Sequence, residues 1–111
     1  LLNINLLKQK YNNQSEIILN KYKIDLNSRK IFNDEKNLKL TEKEIEIILF
    51  LNNHNKPQNI QSLQQDVWGY ISDLETHTVE THIYRLRKKI KEIFNDENFI
   101  ISSKEGYYLD E

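Results

Sequence analysis

Residues 76–94 read THTVETHIYRLRKKIKEIF, and this stretch decides the fold. On a helix of about 3.6 residues per turn, Val79, Ile83, Leu86, Ile90 and Ile93 fall on one stripe. His77, Thr81, Tyr84, Arg85 and Lys88 lie around the opposite side, with His82 and Lys89 on one flank and Arg87 on the other. One face is built for a core and the other for something anionic. A merely solvated basic face would look the same, so the helix alone does not choose between the two. Its surroundings do.

Upstream, Thr41-Glu42-Lys43-Glu44 opens a second helix as a capping box. Glu42, Glu44 and Glu46 also suit the positive end of its dipole, so these acids read as capping rather than catalysis. Ile45, Ile47, Ile48, Leu49, Phe50 and Leu51 cover nearly the whole circumference, which makes this the central core helix. Residues 52–58 hold the only proline, Pro57, and read as a loop. Asn59 is the N-cap expected for a short helix from Ile60 to Trp68 that buries Leu63, Val67 and Trp68, closed by Gly69.

Farther upstream, residues 16–40 switch to short strands. Ile17, Ile18 and Leu19 form the first, and Tyr22, Ile24 and Leu26 alternate with charged residues in the second. Asn27-Ser28 reads as a turn, Ile31-Phe32 as a strand, residues 33–36 as a turn, and Leu38 and Leu40 as a last strand. Three or four antiparallel strands follow. Downstream of the long helix, residues 95–98 make a turn, and 99–101 and 107–109 read as two strands around Ser103 to Gly106.

With 111 residues, one domain is expected, and 30% charged against 38% hydrophobic residues fits a globular chain. The net charge of −1 is segregated: residues 1–40 carry a net +4, 41–76 a net −4, 77–93 a net +3 and 94–111 a net −4. Bulk attraction to nucleic acid is thereby excluded, and any such binding must use a local patch. Without cysteine there is no disulfide framework, thiolate metal site or cysteine nucleophile, which is compatible with a cytoplasmic location. No apolar run approaches the roughly 20 residues of a membrane span, so no membrane partner is expected. Two glycines supply neither a phosphate-cradling loop nor a nucleophile elbow. His54, His77 and His82 lack helical metal-pair spacing, so no catalytic residue, metal site or cofactor is expected.

The order of sheet, buried helix, short helix, long basic helix and hairpin is an α+β winged helix-turn-helix: an N-terminal antiparallel β-sheet, three helices and a C-terminal β-hairpin wing. Four separated motifs make the likeness specific. Leu40-Thr41-x-x-Glu44, Leu63-x-x-x-Val67-Trp68-Gly69, the run Thr78 to Lys89, and Gly106-Tyr107 resemble the effector domain of OmpR/PhoB-type response regulators, over about residues 16–110.

The resemblance implies that the long helix is a recognition helix in the major groove of double-stranded DNA. His77, Thr78, Thr81, His82 and Arg85 would then face base edges or nearby phosphates, and Arg87 and Lys88 the backbone. Trp68 would help present the end of the second helix to a phosphate. Gly69, Tyr70, Ile71, Ser72, Asp73, Leu74 and Glu75 would match the loop that faces RNA polymerase. Residues 1–15 would be the tail and linker of an upstream receiver domain served by a sensor kinase, with 16–111 the DNA-binding domain of a two-component regulator that pairs on DNA as a dimer. Three departures weaken the match. His77 and Tyr84 stand at positions that are usually basic, so a fixed charge becomes conditional at one and is absent at the other. The wing reads Ile101-Ser102-Ser103-Lys104-Glu105-Gly106-Tyr107-Tyr108 where the family is close to T-V-R-G-x-G-Y-R. Ser103 takes the minor-groove Arg position, and Lys104 substitutes only by a register shift beside Glu105. These departures keep a second reading open, a winged-helix protein-interaction module with weak or lost DNA binding.

Overall fold

The computed structural model describes residues 16–69 and 76–110. The N-terminal segment 1–15 and residues 70–75, where the linker and polymerase-facing loop are expected, lie outside the described residues. Four strands come first: β1 (Glu16–Leu19), β2 (Tyr22–Asp25), β3 (Lys30–Asn33) and β4 (Lys36–Lys39), antiparallel in the order β1-β2-β3-β4. Two-residue links close β1–β2 and β3–β4, each with a short polar residue in the left-handed region, Asn20 at φ 54° and Asp34 at φ 56°. Between β2 and β3, the Asp25 carboxylate accepts from the amides of Asn27 (3.0 Å) and Ser28 (3.4 Å) and shapes the longer turn.

Three helical segments follow: α1 (Glu42–Asn52), the one-turn α2 (Ile60–Leu63) and α3 (Thr76–Phe94). The capping box of α1 is present in full: the Glu44 amide donates to Thr41 Oγ1 (3.2 Å), and the Thr41 amide to Glu44 Oε1 (2.8 Å). Asn59 caps α2 by accepting from the Ser62 amide at 2.8 Å. The expected helix from Ile60 to Trp68 changes character after its first turn, because residues Gln64–Trp68 widen into a π-helical turn. Gly69, at φ 76°, ends it by donating to the Gln65 carbonyl at 2.9 Å.

The core forms where the inner face of the sheet, α1 and the apolar stripe of α3 meet. Ile24, Ile31, Ile47, Ile48, Leu63, Val79, Leu86 and Ile90 are fully enclosed there. Ile93 departs from the expected stripe and is 37% exposed. Phe94 turns inward instead, because its ring finds an aromatic partner in Tyr22, which it meets edge-on at 5.2 Å. Trp68, expected inside, is half-buried. The wing strands are β5 (Ile100–Ser103) and β6 (Gly106–Leu109), shifted toward the tip relative to the expected spans, which leaves Phe99 buried just before β5. Gln58 adds a bridge to the wing: its amide donates to the Tyr107 carbonyl (2.8 Å), and the Tyr107 amide donates back (2.9 Å).

One polar contact ties the sheet to the segment after α3. The buried Tyr22 hydroxyl donates to Asp96 Oδ2 at 2.6 Å, and the Asn98 amide donates to Asp96 Oδ1 at 2.9 Å. Burial, then the hydrogen bond and charge of Asp96, push the Tyr22 phenol well above its usual range. Burial opposes the charge on Asp96, but the Tyr22 hydroxyl, the Asn98 amide and the Lys21 ammonium outweigh it and hold the carboxyl below its usual range. The carboxylate's stabilisation is therefore complete above the unfolded carboxyl pKa of about 4 and is lost as pH falls through the lowered folded value. The phenol's stabilisation is complete below about pH 10 and is lost as pH rises through the raised folded value. Tyr22→Phe is expected to lower stability on the intervening plateau by about 1–2 kcal/mol and to flatten its acid limb, measured by urea unfolding between pH 3 and 8. An unchanged acid limb would contradict the contact.

Candidate nucleic-acid interface

Helix α3 presents its polar side away from the core. His77, Tyr84, Arg85 and Lys88 are exposed, and Thr78, Thr81, His82 and Arg87 are half-buried. Among the described residues, ion pairs engage Lys21, Lys23, Lys43, Lys89 and Lys91, and none engages Arg85, Arg87 or Lys88. These three have no acidic partner among the described residues. An internal ion pair for Arg87, the alternative its flank position suggests, is absent among the described residues. Tyr84, Arg87, Lys88 and Lys91 line one open groove of about 530 Å³ together with Glu92, Asn95 and Glu97. Tyr84 is 64% exposed, so a large aromatic ring stands in solvent beside three cations.

The flank of α3 toward α1 differs. Lys89 Nζ lies 2.8 Å from Glu44 Oε1, whose side chain is only 4% exposed. Lys89 is thus committed to the protein and leaves the basic face. His82 is engaged on two sides. Its Nδ1 donates to the Thr78 carbonyl at 2.8 Å, and its ring meets Trp68 edge-on at 5.0 Å. A carbonyl can only accept, so Nδ1 carries the proton and Nε2 alone remains for another partner. Lys43 covers Trp68 from α1: its Nζ stands 5.6 Å from the ring centroid and donates to the Val67 carbonyl at 2.9 Å.

On the wing, Ser103 Oγ donates to the Gly106 carbonyl at 2.9 Å. Its hydroxyl closes the hairpin, so the position expected to enter a minor groove carries a short, internally bonded side chain. Lys104 and Glu105 are both exposed at the two-residue tip. Of the expected loop 69–75, only Gly69 lies within the described residues.

The sequence reading missed Lys43 and Gln58. Lys43 sits 24 residues before the carbonyl it reaches, and no local pattern announces such a contact. Gln58 left a signal in Gly106, because a glycine beside a strand also marks the close approach of another backbone. Among the described residues, no group of three or more His, Cys, Asp or Glu side chains is placed to hold a metal ion, and no helix is long and apolar enough to cross a membrane.

A four-stranded sheet, three helical segments and a hairpin, with a long amphipathic helix exposing unpaired cations, define a winged-helix effector domain. The chain belongs to the family described as transcriptional regulatory protein, C terminal, which it matches over residues 34–109. It is 29% identical over 102 residues, 89% of this chain, to a probable transcriptional regulator ycf27 of Galdieria sulphuraria. Over 75% of its length it is 30% identical to the transcriptional regulatory protein SrrA of Staphylococcus aureus. The chain spans only about 40% and 35% of these two relatives. Among solved structures, it matches the DNA-binding domain of the response regulator AdeR, in complex with an intercistronic region, with TM-score 0.69 and 27% identity, covering 84% of this chain and 96% of that one. The family is one of transcription regulators and not an enzyme family. The chain is thus a winged-helix domain of this transcriptional-regulator family.

Proposed function

We propose that this domain reads duplex DNA by laying α3 in the major groove, with Arg85 on a base edge or phosphate and Arg87 and Lys88 on the backbone. The observation that carries the reading is that Arg85 and Lys88, opposite the buried stripe of α3, and Arg87 on its flank are all free of ion pairs among the described residues. His77, Thr78, Thr81 and Tyr84 share that side or its margin and supply milder readout through hydrogen bonds and apolar contact. His82 and Trp68 contribute from one flank. Residues 1–15 join the domain to an upstream receiver controlled by a sensor kinase, residues 69–75 meet RNA polymerase, two copies bind neighbouring half-sites, and the protein works in the cytoplasm.

One observation favours the second reading, a protein-interaction module with weak DNA binding. The wing presents a single cation, Lys104, beside an exposed Glu105, and Ser103 is turned into the hairpin. A salt titration decides. Each phosphate neutralised adds about −0.9 to the slope of log K against log salt. With α3 dominant and the wing weak, binding to duplex DNA is expected at low salt, with a slope per monomer shallower than about −5. A slope corresponding to six or more phosphates would contradict the weak wing, and no binding at low salt would favour the interaction module.

A further inference from the structure

We propose that Lys43 and Glu44, adjacent in the first turn of α1, act as positioning residues that set the rotation of α3 about its own axis and so the aim of its base-reading face. The proposal rests on the DNA-reading function above. Glu44 is buried and holds one flank of α3 directly: its Oε1 takes the Lys89 ammonium at 2.8 Å while also accepting the Thr41 amide at 2.8 Å. Lys43 holds the same flank at second hand. Its ammonium donates to the Val67 carbonyl at 2.9 Å and stands over Trp68, and Trp68 meets His82 edge-on. His82 is in turn fixed to its own helix through the Thr78 carbonyl.

His82 and Lys89 are seven residues apart, two turns of helix and about 10 Å along its axis. Two attachments on one flank resist both sliding and rolling. The apolar stripe of α3 does this less well, because hydrophobic contact is non-directional. A roll of about 20° would move a side chain at a radius of about 5–6 Å by roughly 2 Å, far beyond what a hydrogen bond to a base edge tolerates. Backbone phosphates approached by long, flexible cations are far less sensitive to such a roll. Specificity, rather than bulk affinity, is what the clamp controls.

The test compares wild type with Glu44→Gln/Lys89→Met, Lys43→Met and Lys89→Arg. The double variant leaves net charge unchanged, and the side-chain amide oxygen it introduces at position 44 can still accept from the Thr41 amide. Wild type is first used to enrich sequences from a randomised duplex pool. The ratio of affinities for the enriched and the random duplex is then measured for every protein, well below its unfolding transition. A tenfold or greater fall in that ratio is expected for the double variant and for Lys43→Met, about the worth of one mismatched base pair, with random-duplex affinity little changed. Lys89→Arg keeps the cation and is expected to keep the ratio. Should the double variant not fold, Lys43→Met and Lys89→Arg carry the comparison. Unchanged ratios, with enrichment by wild type, overturn the positioning role and leave DNA reading standing. No enrichment by wild type overturns both.

Discussion

Gly106→Ala is expected to lower the unfolding free energy by about 3 kcal/mol or more, well beyond the cost of the same change at Gly69. Gly106 sits at φ +140°, where an L side chain is strained. A β-carbon there would overlap the Gln58 carbonyl and come within 2.8 Å of the Asn59 amide nitrogen. Those atoms are backbone, and the paired hydrogen bonds between Gln58 and Tyr107 hold them in place, so they cannot swing aside as a flexible side chain would. The strand bridge must open, and the wing then loses its attachment to the start of α2. Gly69 supplies the contrast. It also has a positive φ, +76°, but among the described residues nothing lies within 4 Å of a β-carbon built on it. Gly69→Ala is expected to cost only the backbone strain, about 1–2 kcal/mol. Guanidinium unfolding of both variants checks the difference, and equal midpoints would contradict the close approach at Gln58.

These two glycines also show how far the amino-acid sequence could be read. Periods of two and of 3.6, together with capping residues, carried most of the fold. The alternation at Tyr22 and Ile24, the Thr41–Glu44 box and the stripe from Val79 to Ile90 all depend on neighbours in sequence, and each stands where it was expected. Contacts set by tertiary packing were not legible. Nothing within a few residues of Glu44 reveals that Lys89 will lie against it. Lys89 therefore looked like part of the basic face until the packing of α1 on α3 was known. Ile93 and Phe94 were both able to follow Ile90, and only the aromatic pocket around Tyr22 and Phe99 chose between them. The candidate interface divides in the same way. The exposed arc of His77, Tyr84, Arg85 and Lys88 is a property of helical spacing, whereas the engagement of His82 by Trp68 and of Ser103 by Gly106 needed the folded chain.

Arg85→Ala carries the second large effect, and it falls on binding rather than stability. Arg85 is exposed on the side of α3 opposite the core and is held by no ion pair among the described residues, so its removal leaves no cavity and no orphaned partner. Unfolding is expected to change by no more than about 0.5 kcal/mol. On DNA, a guanidinium can hold guanine through two parallel hydrogen bonds or clamp a phosphate, and its loss is worth about 1–3 kcal/mol, or roughly tenfold to a hundredfold in affinity. The effect is expected to be larger here than in a chain with more fixed charge on this helix, because His77 and Tyr84 supply none to compensate.

The most direct measurement titrates a labelled duplex, enriched by the wild-type domain from a random pool, with wild type and Arg85→Ala at low and at moderate salt. If α3 reads DNA, wild type binds at low salt, binding weakens as salt rises, and Arg85→Ala binds at least tenfold more weakly at both. Absence of wild-type binding at low salt, or equal binding by the two proteins, would contradict it.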